Sequence, residues 1–324
     1  MMQQMRLGMG GPIQSVELKV LHMDGTEEDI SQASSYNFQD GDIIEPILAD
    51  YSVVIKCGGE AGSDRVPTAH SDGRPQSGLG AWVQGTINMR YGTKYCVRVN
   101  SGIGAIYWGE SNTNNDYCMM LGAQGGDGKG TLAGRIDPGF AWSSDPNACG
   151  LGGNAGIPTQ GTAGQGSPGT SDSVGATGGT GGTTSGYKSG SGGIAGTAYG
   201  GVGILTSTDG GFFSRGTAIV TSDGHSDGGN GGMGYYGGGA GGGIYEGYGW
   251  PPRLKTGGGG GGGSSYYDGV PSNQLPNPSI DEAGVTNVSS QLNTDNDTID
   301  TAFVTCMSIL KTGDREQPYW IGYQ

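Results

Sequence analysis

From residue 122 to residue 263 glycine recurs singly and in pairs, and the stretch closes on the unbroken run Gly257–Gly263. Such a chain cannot be α-helical, because each glycine costs up to about 1 kcal/mol in a helix. Collagen is excluded too, since no strict Gly-X-Y run is sustained and only 14 prolines are present. What remains is an extended three-fold helix like polyproline II, with three residues per turn and no internal hydrogen bonds. One such helix leaves its amides without partners, so several must lie side by side. Backbones approach that closely only where side chains are absent, which is a reason for glycine at so many positions. A flexible linker is the competing reading. Aromatic residues within the stretch, among them Tyr187, Tyr199, Phe212, Phe213, Tyr235, Tyr236, Tyr245, Tyr248 and Trp250, argue against it.

On either side of the glycines the sequence alternates as β-strands do. Val16, Leu18 and Val20 alternate with Glu17 and Lys19, and Asp24-Gly25 offers a hairpin turn, so 15–30 reads as a hairpin. Residues 31–48 read as polar and irregular. Tyr51, Val53, Ile55 and Cys57 share a face, as do Ala81, Val83, Ile87 and Met89. Tyr91-Gly92-Thr93 turns the chain into 94–99, where Tyr95, Val97 and Val99 alternate with Lys94, Cys96 and Arg98. Residues 117–121 (YCMML) read as a short buried strand, and the alternation returns at 302–310. Ala218-Ile219-Val220 is the one strand-like run inside the insert. No stretch shows helical periodicity.

The expected fold is therefore all-β: an antiparallel β-sandwich of jelly-roll or TNF-like kind, closed by its last strand, with almost no α-helix. The expected division is a docking segment over 1–48, a sandwich from 49–121 plus 296–312, a glycine-rich insert over 122–295 and a tail over 313–324.

Charge and cysteine content exclude several classes. The net charge is −14 and the pI near 4.4, whereas a nucleic-acid binder needs a cationic surface. The five cysteines, Cys57, Cys96, Cys118, Cys149 and Cys306, are odd in number and widely spaced, which suits neither a disulfide framework nor a zinc site. The start MMQQMRLGMGGP lacks a signal-peptide core, and no apolar run reaches membrane-span length. Synthesis in a reducing cytoplasm, without membrane insertion, is the expectation.

Four stretches now stand in order: YSVVIKCGGEAG (51–62), GAWVQGTINMRYGTKYCVRV (80–99), CMMLGAQGGDG (118–128), and GGGAGGG followed by GGGGGGGSSYYDG (237–269). That order resembles the glycine-rich domain of anaplastic lymphoma kinase-type receptors and of many bacterial and phage proteins. The resemblance covers roughly 50–312, with strand, glycine cluster, hairpin and second strand in sequence, and 302–310 as the closing strand. It implies a β-sandwich bearing a bundle of polyglycine II helices. A looser likeness is to the glycine-rich adhesins at the tail-fibre tips of T-even-like phages, which present variable loops to the host surface.

No catalytic pattern accompanies these motifs. GAQGGDGKGT (122–131) departs from a phosphate-binding loop at Ala123 and Gly130. His22, His70 and His225 stand apart from one another and from the cysteines, and no GxSxG occurs. No enzyme and no cofactor is expected. Two acidic clusters could supply calcium with oxygen ligands: Asp223 and Asp227 in one, Asp295, Asp297 and Asp300 in the other. Ordinary turn chemistry accounts for the same residues. The strongest binding signal is aromatic: Tyr235, Tyr236, Tyr245, Tyr248, Trp250, Tyr266 and Tyr267, set in Gly, Ser and Asn. Tyrosine in such settings gives large contact area at little entropy cost. The alternative is that these rings pack against the glycine bundle.

Together with the resemblance, these features lead us to expect a non-enzymatic protein of the virion surface, made in the host cytoplasm. A phage tail-fibre or tail-tip adhesin for host attachment is the first expectation. A capsid decoration or tail-scaffold protein is the second, and a cellular receptor or ligand domain the third. Expected partners are other virion proteins through 1–48, then a host surface glycan or outer-membrane protein, with a homo-oligomer left open and no nucleic acid.

Overall fold

The computed structural model describes residues 17–63, 77–128, 152–157, 180–184, 190–195, 207–218, 228–242, 258–268 and 284–314. Among them the protein is all-β and antiparallel, with one short 3-10 turn at Asn115–Tyr117 and no α-helix. The strands in chain order are β1 Leu18–Leu21, β2 Glu27–Asp29, β3 Tyr36–Phe38, β4 Ile43–Pro46, β5 Ala49–Gly58, β6 Ala81–Met89 and β7 Tyr95–Asn100. They continue with β8 Ile103–Trp108, β9 Cys118–Gly122, β10 Thr183–Thr184, β11 Gly190–Ser191, β12 Tyr266–Tyr267, β13 Thr286–Leu292 and β14 Phe303–Asp314. One sheet has the order β12-β9-β8-β7-β4-β1-β2, the other β13-β6-β5-β14-β3, and β10-β11 form a separate pair.

The two large sheets face each other across one apolar core. Tyr51, Val53, Ile55 and Cys57 of β5 meet Leu18 and Val20 of β1, Ile44 of β4, Val97 of β7 and Ile106 of β8 within it. Strict alternation over β5 and β6 buries every second side chain, which is how a strand with one covered face reads. Cys57, Cys96, Cys118 and Cys306 are buried free thiols in these strands. Burial pushes the Cys96 and Cys306 thiols up to about 11, so they behave as small apolar groups.

Four expectations about the sandwich need correction. Residues 17–48 are not a separate docking segment: β1, β2 and β4 extend the seven-stranded sheet through β7, and β3 pairs with β14. The stretch 31–48 holds two strands whose alternation is too short to read alone. The hairpin expected at 80–99 does not form, because β6 pairs with β5 and β13 while β7 pairs with β4 and β8 in the opposite sheet. Tyr91-Gly92-Thr93 is therefore a corner between sheets. The sandwich also resumes before 296, since β13 pairs with β6; its seven residues are polar and only half-buried, which hid them.

β8 went unread for the opposite reason. Ile106 points into the sandwich core, while Ile103, Ala105 and Tyr107 join a second core with Ala81, Leu121, Ala155, Met233, Tyr235 and Tyr266. Both faces of the strand are covered, so it shows no alternation.

Four strands run straight out of the sandwich into the glycine segments. At the exit the sheets close to backbone contact: a Cβ on Gly104 would lie 2.0 Å from the Phe303 carbonyl oxygen, and one on Gly122 would lie 2.4 Å from that of Cys57. Beyond it, 59–63 follows β5, 77–80 leads into β6, 122–128 follows β9 and 258–265 leads into β12.

A pH effect arises at the other edge of the seven-stranded sheet. His22 Nδ1 lies 2.8 Å from Oδ1 of the buried Asp42. The hydroxyl of Tyr36 is 3.4 Å from Nε2 and donates to Glu28 at 2.8 Å. The hydrogen bond to Asp42 raises the His22 pKa above 6.5, against the opposing effect of burial. Protonated His22 thus stabilises the fold fully below about pH 6.5, and this stabilisation fades as pH rises through the raised value. Melting temperature measured against pH should lose that component in His22→Gln. Identical pH profiles for the two proteins would show that the pair contributes nothing.

Candidate functional site

The glycine segments are joined by backbone hydrogen bonds that recur at every third residue. Gly258, Gly261 and Ser264 donate to Gly242, Gly239 and Tyr236, each at 2.9 Å, so these two segments run antiparallel. The carbonyls of the same three residues accept from Gly229, Gly232 and Tyr235, so 229–235 runs parallel to them. Gly260 and Gly263 donate to Asp127 and Gln124 and accept from Gly153 and Gly156. Gly262 accepts from Gly182 at 3.0 Å. The segment 258–264 is thus enclosed by five others, and from Gly260 to Gly263 no position has room for a side chain. A Cβ on Gly260, Gly261, Gly262 or Gly263 would lie 1.9–2.1 Å from a neighbouring carbonyl oxygen. That is why glycine is continuous here, whereas elsewhere single side chains intervene.

Where side chains do enter, their oxygens stand in for backbone carbonyls. Gln124 and Asp127 are three residues apart and so face the same direction. Gln124 donates to Glu60 at 2.7 Å and accepts from the Met233 amide at 3.1 Å. The buried Asp127 accepts from the Ser63 amide and from Asn230, both at 2.8 Å, and Asn230 accepts from the Ala218 amide. Burial raises the Glu60 carboxyl pKa, with Arg215 acting the other way.

Strand direction gives the bundle two distinct ends. The near end, against the sandwich, holds the turns at Gly211–Ser214 and Gly234–Tyr236. There Tyr235 stacks on Tyr266 with centroids 3.8 Å apart and planes at 12°, and Phe212 and Phe213 meet Tyr235 edge-on at 5.1 and 5.3 Å. Phe213 also lies 6.3 Å from Tyr107 of β8. Tyr235 and Tyr266 are buried, Tyr236 and Tyr267 half-buried, and Phe212 is 42% exposed. The expectation of a contact surface is thus corrected for Tyr235 and Tyr266. A bundle of bare backbone cannot fill the space above a pleated sheet, so rings on its turns do so. Burial raises the hydroxyl pKa of Tyr107 beneath them.

The far end is the other candidate. Ser63 beside Asp127, Asn230 beside Ala218, Ser207 bonded to the Gly241 carbonyl, and Gly258 bonded to Gly242 all lie there. The described residues flanking 64–76, 129–151, 196–206, 219–227 and 243–257 therefore collect at the end remote from the sandwich. Tyr245, Tyr248, Trp250, Asp223 and Asp227 lie outside the described residues, in two of these stretches.

The second acidic cluster is corrected to a turn. The Asp297 amide donates to the Asp295 side chain at 3.1 Å, and Thr298 bonds Asn293. Among the described residues no three His, Cys, Asp or Glu side chains converge as metal ligands, Asp295, Asp297 and Asp300 included. The Phe212 and Phe213 turn is a junction that the sequence reading missed; the one local signal for it is a pair of large rings directly after two glycines. No protein-family model matches the chain, and no curated protein matches it.

Proposed function

We propose that the chain is a non-enzymatic surface protein of a virus particle, most simply a tail-fibre or tail-tip adhesin, in which polyglycine II helices form a stiff support for loops. The observation that carries this reading is the gathering of five pairs of segment ends at one pole of the bundle. Three residues per turn is the repeat of a polyglycine II-type helix, and it matches the spacing of the inter-segment bonds. Loops held at one end of a rigid scaffold are where recognition residues concentrate. The burial of Tyr235 and Tyr266 favours a second reading, a capsid decoration or tail-scaffold protein whose rings serve packing alone.

The two readings separate in one experiment. Trp250→Ala should cut adsorption to host cells roughly thirtyfold at unchanged melting temperature, the loss of an aromatic anchor worth at least about 2 kcal/mol. Tyr235→Ala should instead lower stability by about 3–5 kcal/mol and leave adsorption per folded particle intact. Adsorption unchanged in Trp250→Ala and in Tyr245→Ala and Tyr248→Ala would favour the decoration or scaffold protein.

A further inference from the structure

At the end of the sandwich opposite the bundle, an open groove of about 680 Å³ lies between the β6–β7 corner and the β8–β9 loop. β6 begins beside the bundle and ends at Met89, and β8 runs from the bundle side to Trp108, so both deliver their last residues to this pole. The groove is lined by Thr93, Lys94, Trp108, Glu110, Asn114 and Tyr117, together with glycines and Ser111.

Its parts are held in place. Trp108 packs against the main core through one side and pairs with Tyr95 in the sheet. Tyr117 closes the 3-10 turn, whose N-terminal cap Asn114 accepts from the Asp116 amide through its side chain. The two rings stand at 88° with centroids 6.2 Å apart, forming a corner. Gly92 and Gly109, both at positive φ, would carry a Cβ into open space, so nothing there fills the groove.

We infer that this groove binds a neutral saccharide. A sugar ring offers apolar C–H faces and a rim of hydroxyls. The corner of Trp108 and Tyr117 supplies preset aromatic surface, and Thr93, Ser111 and Asn114 supply both donors and acceptors around it. The volume suits a ligand of a few sugar rings. Charge selects the class. Lys94 is already paired with Glu110 across the groove, so the site has no surplus cation for a phosphate or carboxylate, and the protein's net charge of −14 repels anions. This inference stands independently of the reading proposed above.

The test uses the full chain against immobilised neutral hexose and N-acetylhexosamine oligomers, with sialylated and phosphorylated oligomers alongside. Neutral oligomers should bind in preference. Tyr117→Ala should weaken binding roughly tenfold or more at unchanged melting temperature, and Tyr117→Phe should retain it. Trp108→Ala should abolish it; should that variant not fold, the Tyr117 pair decides. Absence of neutral-sugar binding, preference for acidic oligomers, or full affinity in Tyr117→Ala would each overturn the proposal.

Discussion

Valine in place of Gly261 is expected to take apart the glycine bundle, lowering stability by at least about 3 kcal/mol and causing aggregation. The residue donates to Gly239 and accepts from Gly232, and its Cβ would sit 2.1 Å from the Thr180 carbonyl oxygen. That oxygen belongs to backbone already engaged with Gly239, so it cannot move aside without losing a second bond. Gly238→Val should behave alike, since its Cβ would lie 2.0 Å from the Gly261 oxygen. Gly313→Ala is the control: nothing lies within 4 Å of the added carbon, and a change within about 0.5 kcal/mol is expected. Thermal denaturation measures all three. Unchanged melting in both valine variants would mean that the segments tolerate side chains and that close packing is not what requires glycine.

Removal of residues 1–48 should yield a chain that does not fold. The cut takes β1 to β4 and with them Leu18, Val20, Ile30, Phe38 and Ile44, all buried in the main core. Each such side chain contributes about 1.5–3 kcal/mol, and together they rival the whole stability of about 5–15 kcal/mol typical of a domain. The cut also strips β4 from one side of β7 and exposes the edge of β14 that β3 covers, leaving open edges prone to aggregation. Soluble yield and near-UV circular dichroism of 49–324 report the outcome. A soluble, cooperatively melting fragment would restore the view of 1–48 as a detachable docking segment. Ile44→Ala, a milder change, should cost about 2–5 kcal/mol.

The candidate site was legible only in part. The clustering of Tyr and Trp late in the insert pointed to recognition, and Tyr236 and Tyr267 keep partial exposure. Tyr235 differs from Tyr236 by one position at a turn. That single step sends one ring under the bundle onto Tyr266 and leaves the other half outside. The groove at Trp108 was not legible at all. Its residues come from two connections, 92–94 and 108–117, which only the pairing of β7 with β8 brings together.

By itself the sequence determined the strand alternation of β5, β6 and β14 and the demand for side-by-side glycine segments, because both follow from local chemistry. A strand with one covered face must alternate, and a run without side chains must find partners for its amides outside itself. Tertiary structure alone decided the rest: which sheet β6 and β7 join, that β8 is covered on both faces, that 17–48 belongs to the sandwich, and which rings are buried. Each depends on what lies against the second face of an element. That neighbour comes from a distant part of the chain, and its identity leaves no period in the local sequence.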